Sequence, residues 1–326
     1  MKTCLELGKG HLKSIMLMVF STLGIWHYLV KKSSKANVLM YHRIVNGNSA
    51  SGISPQAFEQ HLKFLSKFYH VVSIDEIISD KKNGTVNPQK IALTFDDGYF
   101  DFYTQAWPLL KKYNLPASIY ITTDFIDGDM WMWPDKIREL LQKTSIKQVE
   151  LSPLGHLYLD DQFFEKNWNT IADYCLNLAI EDREVFFKEL ANLLQINLPD
   201  RPSANYAGLT WQQLIEMQEE GLDVGSHTLT HPLLTKVSNE KLELELIKSK
   251  QFIEEKLNIE VIGICYPNGM HNDVSTKVIE VVKRCNYQYG LIAYRDNTKE
   301  IDLFKIDRLA ASENLASFAF SLLSIK

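Results

Sequence analysis

An apolar run over residues 91–95 stops abruptly at Asp96-Asp97-Gly98, and this habit of a buried strand running into polar residues recurs along the chain. Residues 38–41, 117–121, 222–225 and 261–265 are short apolar runs of the same kind, and residues 289–294 and 303–306 read as two more. Between them lie stretches of helical periodicity. Ser54-Pro55 sets an N-cap before a proline at the first helical position, and Phe58, Leu62, Leu65 and Phe68 then recur on one helix face. Residues 102–113 form an amphipathic run, Thr210 caps a helix that Gly221 ends, residues 238–257 form a long charged helix and residues 272–285 another. The charge mix within 240–256 reads as a solvated face. Strands alternating with helices imply an α/β fold with a mostly parallel sheet, and this many repeats favour a barrel, whose active site lies at the C-terminal strand ends.

Two regions break the rhythm. Residues 128–203, with Trp131-Met132-Trp133-Pro134 near their start, read as a helical insert beside the barrel. Residues 14–30 are almost wholly apolar and are flanked by Lys9, Lys13, Lys31, Lys32 and Lys35. That stretch is marginal for a spanning helix, which needs about 20 residues, and no small-residue cleavage site follows it. Residues 1–35 are therefore expected to be a membrane-associated apolar helix, as a signal anchor or an interfacial helix, ahead of a barrel over 36–326. The side of the membrane stays open.

A formal net charge of -5 gives no basis for nucleic-acid binding. The four cysteines are scattered and form no CxxC pair, which argues against a disulfide scaffold or a cysteine zinc site. No protein partner is implied.

The chemistry concentrates at two strand ends. His227 and His231 are four apart, a spacing that on a helical turn aims both imidazoles at one ion. Of the adjacent carboxylates Asp96 and Asp97, one can complete a His-His-Asp ligand set while the other stays free as a base on water. Each motif alone has a plain structural alternative, a surface turn or a helix cap. Together they point to a metal-dependent hydrolase.

Thr94-Phe95-Asp96-Asp97-Gly98 and Ser226-His227-Thr228-Leu229-Thr230-His231 resemble the first two motifs of the polysaccharide deacetylases, the NodB-homology or carbohydrate esterase 4-like family. Tyr266-Pro267-Asn268-Gly269 resembles the third. The resemblance implies a distorted (β/α) barrel, a divalent metal, usually zinc, and hydrolysis of N-acetyl (less often O-acetyl) groups on an acetylated glycan. It also implies Asp96 as base, Asp97, His227 and His231 as metal ligands, and the Asn268 backbone N–H as oxyanion donor.

Three departures stand out. Cys265 holds the place of the family's orienting arginine, Asn268 that of its tyrosine, and no histidine follows His271 to supply the late general acid. Residues 38–44, Val-Leu-Met-Tyr-His-Arg-Ile, resemble the first strand of a subgroup with circularly permuted motifs, so His42 becomes the candidate acid, or else a histidine that only hydrogen-bonds loop backbone. Arg308 is read either as a substitute for the missing arginine or as a surface salt bridge. With Tyr266, Pro267 and Trp131 it makes up the expected substrate contacts, although Trp131 reads more readily as a core residue of the insert. A catalytically inert glycan binder and an amidase on a small cyclic amide are the alternative functions.

Overall fold

The computed structural model describes residues 13–20, 24–33, 37–45, 52–128, 130–296 and 301–323. The chain divides into two compact units, one built from the residues up to Asp127 and from Gly208 onward, the other from Gly128–Ala207.

Among the described residues the first unit holds eight strands of one parallel sheet: β1 (Asn37–Tyr41), β2 (His70–Val71), β3 (Lys90–Asp97), β4 (Ser118–Ile121), β7 (Asp223–Ser226), β8 (Gly263–Cys265), β9 (Tyr289–Leu291) and β10 (Leu309–Ala310). Six of them come from the apolar runs; β2 and β10 are additional, and residues 303–306, expected as a strand, form a turn that keeps only a single bridge at Ile306. Their order is β10-β1-β3-β4-β7-β8-β9, with β2 beside β3. The sheet curls until its edges approach. Ile306 bridges Leu291 of β9, and three residues later Leu309 pairs with Leu39 of β1, so residues 306–310 tie both edges together. The strand–helix alternation predicts this parallel, curled sheet, and its distorted barrel form is the one the family resemblance implies.

Register fixes the rim. Tyr41 pairs with Phe95, Asp97 with Ile121, Ile121 with Ser226, and Ser226 with Ile264. His42, Asp96, Asp97 and His227 therefore emerge at the same C-terminal edge of the sheet. Below them the interior is filled rather than hollow. The Tyr120 and Tyr289 hydroxyls meet at 2.8 Å, both rings buried. Strand glycines make room for these rings: a Cβ on Gly225 would lie 2.5 Å from Tyr120, one on Gly290 would lie 2.5 Å from the Tyr266 ring, and one on Gly263 would enter the Tyr289 ring.

Helices cover the outside. Pro55–Phe68 starts at Ser54, whose hydroxyl accepts from the Ala57 N–H, and it buries Phe58, Leu62, Leu65 and Phe68 as its periodicity predicts. Each such side chain contributes roughly 1.5–3 kcal/mol. The run predicted as one helix over 102–113 is instead a wide π turn, Phe102–Ala106, leading into an α-helix, Trp107–Tyr113. The N-terminal stretch also differs from a single straight helix. Among the described residues Lys13–Phe20 and Ile25–Lys32 lie at 99° to each other, and no single helix is long and apolar enough to cross a membrane. Trp26 and Val30 are buried with the barrel core, the Trp26 ring edge-on to Phe64 and Phe320. Residues 1–12, 21–23, 34 and 35 lie outside the described residues.

The second unit spans Gly128–Ala207, close to the expected insert. It holds helices Trp133–Lys143, Phe164–Leu176 and Ile180–Leu193 around its own core, which includes Ile137, Leu140, Ile171, Phe187 and Leu190. It is not wholly helical. β5 (Gln148–Leu151) and β6 (Gly155–Tyr158) make an antiparallel hairpin, whose first strand alternates exposed and buried residues.

Candidate active site

Asp96 and Asp97 close β3, and the pleat sends their side chains to different places. Asp97 turns into the left-handed region, φ 75°, and its Oδ1 faces His227 Nε2 at 3.4 Å and His231 Nε2 at 3.5 Å. That oxygen is buried and makes no hydrogen bond among the described residues. An orphaned carboxylate oxygen facing two imidazole nitrogens is what a metal ion would satisfy. His227 Nδ1 donates to the Cys265 carbonyl at 2.7 Å, which fixes the ring and turns Nε2 toward Asp97. Burial, reinforced by His227, pushes the His231 imidazole down to about 4, and a neutral imidazole is the ligand form. Burial alone would raise the Asp97 carboxyl, but the surrounding imidazoles hold it below its ordinary value.

The two histidines do not share a helical turn as their spacing predicts. Residues 227–231 form an irregular loop in which Thr228 (φ 71°) and His231 (φ 56°) are left-handed. Strained backbone of this kind persists only where surrounding contacts dictate it.

Asp96 has a different neighbour. Arg308, buried on the segment that closes the barrel, places Nη1 and Nη2 each 2.7 Å from one Asp96 oxygen. Its remaining N–H groups go to the Ile292 carbonyl, the Thr94 hydroxyl and the Cys265 thiol, so all five donors are engaged. Burial by itself would raise the Asp96 carboxyl; the guanidinium overrides it and holds the group well below the usual carboxylate range. Asp96, His227 and Cys265 also lie close enough to form a second ligand set. The arginine fork already occupies both Asp96 oxygens, which closes that set to a cation. His42, about half exposed, places Nε2 3.7 Å from Asp96 Oδ2.

The residues read as substrate contacts are all buried, and each has a physical reason. Tyr266 points inward over Gly290 and donates to the Phe304 carbonyl. Pro267 is covered, and its carbonyl accepts from Gly269 N–H at 2.6 Å. Trp131 packs near Tyr206 within the second unit and donates to the Pro199 carbonyl. Arg308 is drawn in by Asp96 and is no surface salt bridge. Asn268 remains exposed in a left-handed turn, its side-chain amide donating to Asp273.

A family model for polysaccharide deacetylase matches residues 83–148 and 195–290, the two stretches that flank most of the insert. The chain belongs to the polysaccharide deacetylase family. Among curated relatives, the Bacillus subtilis protein named "Putative polysaccharide deacetylase YxkH" is 23% identical over 89% of this chain and 76% of its own length. The poly-β-1,6-N-acetyl-D-glucosamine N-deacetylase of Escherichia coli is 23% identical over 79% of this chain, which spans only 33% of that protein. Among solved structures, the Streptococcus pyogenes deacetylase PplD, in complex with acetate, superposes with a TM-score of 0.59 at 20% identity, covering 89% of this chain and 99% of its own. The curled parallel sheet is thus the fold of this family, and the chain is a hydrolase of that class.

Two polar residues at the site escape the sequence reading. Asp101 accepts from Arg43 Nε and from the Ile44 N–H, each at 2.8 Å, and so pins the loop that carries His42. Glu245 lies on the long helix Asn239–Leu257, whose charge mix reads as solvated, yet it is fully buried. The signal was present: Glu245 falls on the same stripe as the buried Leu242, Ser249 and Ile253.

Proposed function

We propose that this protein removes N-acetyl groups from a glycan of the poly-N-acetylglucosamine type with the help of a divalent metal, most simply Zn²⁺. The observation that carries the reading is Asp96, kept anionic by Arg308, standing next to the cluster of Asp97, His227 and His231. Those three side chains would hold the metal, which when bound supplies Lewis acidity at the acyl oxygen and acidifies water.

The remaining work falls to the protein's own groups. Amide hydrolysis needs a proton removed from water, a developing oxyanion stabilised and a proton delivered to the departing nitrogen. Asp96 takes the proton from the attacking water, and its two hydrogen bonds to Arg308 keep it oriented for that task. The Asn268 backbone N–H donates to the oxyanion. His42, at the rim beside Asp96, gives its proton to the sugar nitrogen as the C–N bond breaks. Water and amide become acetate and amine, and the proton count closes. The arginine missing at Cys265 favours an inert binder only if nothing replaces it, and Arg308 reaches the same carboxylate from the opposite edge of the sheet.

The membrane reading is also a proposal. Ile15 (56% exposed) and Met18 (62%) on one N-terminal helix, and Tyr28 (61%) on the other, are accompanied by Lys13, Lys31 and Lys32. Apolar side chains beside cations suit an anionic lipid surface. With Trp26 and Val30 buried in the core, this segment lies on the bilayer rather than across it. Flotation of the full chain with anionic vesicles, lost in Ile15→Glu, supports this; equal flotation refutes it.

The test of activity is acetate release from N-acetylglucosamine oligomers with added Zn²⁺, with chelator, and with Asp96→Asn. Release that requires both the metal and Asp96 is expected. Metal-independent release, or undiminished turnover by Asp96→Asn, refutes the assignment.

A further inference from the structure

The loop between the two histidines has no helix or strand to hold it, yet every one of its backbone N–H groups is satisfied. His227 N–H goes to the Ile121 carbonyl at 2.8 Å, Thr228 N–H to the Ser226 hydroxyl at 3.2 Å and His231 N–H to the Thr228 hydroxyl at 3.1 Å. The middle pair, Leu229 N–H and Thr230 N–H, both reach Oε2 of Glu245, at 3.0 and 2.8 Å. Its other oxygen accepts from the Thr230 hydroxyl at 2.6 Å and from Lys241 at 2.9 Å. One turn further along the same helix, Ser249 and Ser226 join hydroxyls at 2.7 Å.

A fully buried carboxylate is costly unless its oxygens are met by donors, and here four meet them. This arrangement is no general packing device, because three of the four donors belong to the loop that carries the histidines. Its two left-handed residues, Thr228 and His231, bracket the pair of N–H groups that Glu245 holds. Releasing that pair would leave two amides without partners and relax the turn that aims His231 Nε2 at Asp97.

We propose that Glu245 is a positioning residue of the metal centre: its carboxylate fixes the His227–His231 loop, and metal affinity depends on it although it touches no metal ligand. The inference rests on the assignment of Asp97, His227 and His231 as metal ligands given above.

The test is Zn²⁺ affinity of the full chain, measured by competition with a chromophoric chelator, together with the visible spectrum of the Co²⁺-loaded protein. Glu245→Gln keeps the shape but loses an acceptor oxygen, and it should bind Zn²⁺ about 10–100-fold more weakly with an altered Co²⁺ spectrum. Leu246→Ala, the next residue on the helix and part of the core, should lower the thermal midpoint and leave affinity unchanged. Affinity of Glu245→Gln within about twofold of wild type, or a loss no greater than that of Leu246→Ala, overturns the proposal. If Glu245→Gln does not fold, Glu245→Asp is read the same way, since it keeps the buried charge but shortens its reach; unchanged affinity again overturns the idea. Wild-type protein that binds no Zn²⁺ refutes the ligand assignment itself and this inference with it, an outcome distinct from equal affinities.

Discussion

Arg308 grips Asp96 with two parallel hydrogen bonds of 2.7 Å, and neither residue is exposed to water. The pair is fixed in both directions. The guanidinium spends its other donors on Thr94, Ile292 and Cys265, so it cannot swing away without stranding them.

Arg308→Met should therefore do two things. Removing one partner of a buried ion pair costs about 3–5 kcal/mol, which urea unfolding would show. Burial would then dominate the Asp96 carboxyl and raise its pKa. The acid limb of kcat/KM against pH should move upward toward neutrality, whereas an arginine that served only packing would leave that limb in place.

Replacing His42 by Asn separates acid catalysis from everything else. Turnover of the N-acetyl sugar should fall by about 10²–10⁴. An aryl acetate has a leaving group that needs no proton, and its hydrolysis should be nearly unchanged. Equal losses on both substrates would deny His42 the acid role.

The barrel interior offers a packing test. Gly263→Ala would force a methyl into the Tyr289 ring, which is held in place by its hydroxyl contact with Tyr120. Overpacking of this kind costs about 1–3 kcal/mol, and a drop in the urea midpoint at unchanged slope is the expected reading.

Stability should also depend on pH away from the active site. His61 is fully buried, stacked on Phe318 with ring centroids 3.8 Å apart, and burial pushes its imidazole from 6.5 down to about 4. Because the folded pKa is lowered, the unfolded chain binds the proton first. Stability is intact above about pH 6.5 and falls as pH drops toward 4, by up to ~1.4 kcal/mol per pH unit. His61→Phe should flatten that slope in denaturation measured between pH 7 and 5.

The sequence made some of this legible and hid the rest, for a reason set by distance along the chain. Asp96, Asp97, His227 and His231 are found because each pair sits within one local motif at a strand end. The curled parallel sheet is legible because strand and helix periods alternate. Arg308 carries no local signal of its own: what gives it a role is a carboxylate 212 positions earlier. Glu245 did carry one, a charge on an apolar stripe, but the acidic and basic residues around it masked the stripe. Tyr266 and Trp131 went astray differently, since aromatic residues near a site fill cores as readily as they face sugars.

The few residues that join the two edges of the sheet also deliver the guanidinium to Asp96. During synthesis Asp96 emerges early and waits while the following 212 residues are made. Until then Asp96 lacks its guanidinium partner. On the proposed assignment, the joining of the sheet edges and the orienting of the base are one event in time. By the same assignment, a chain that has Asp97, His227 and His231 but lacks residues 306–310 is expected to bind an ion and fail to turn over.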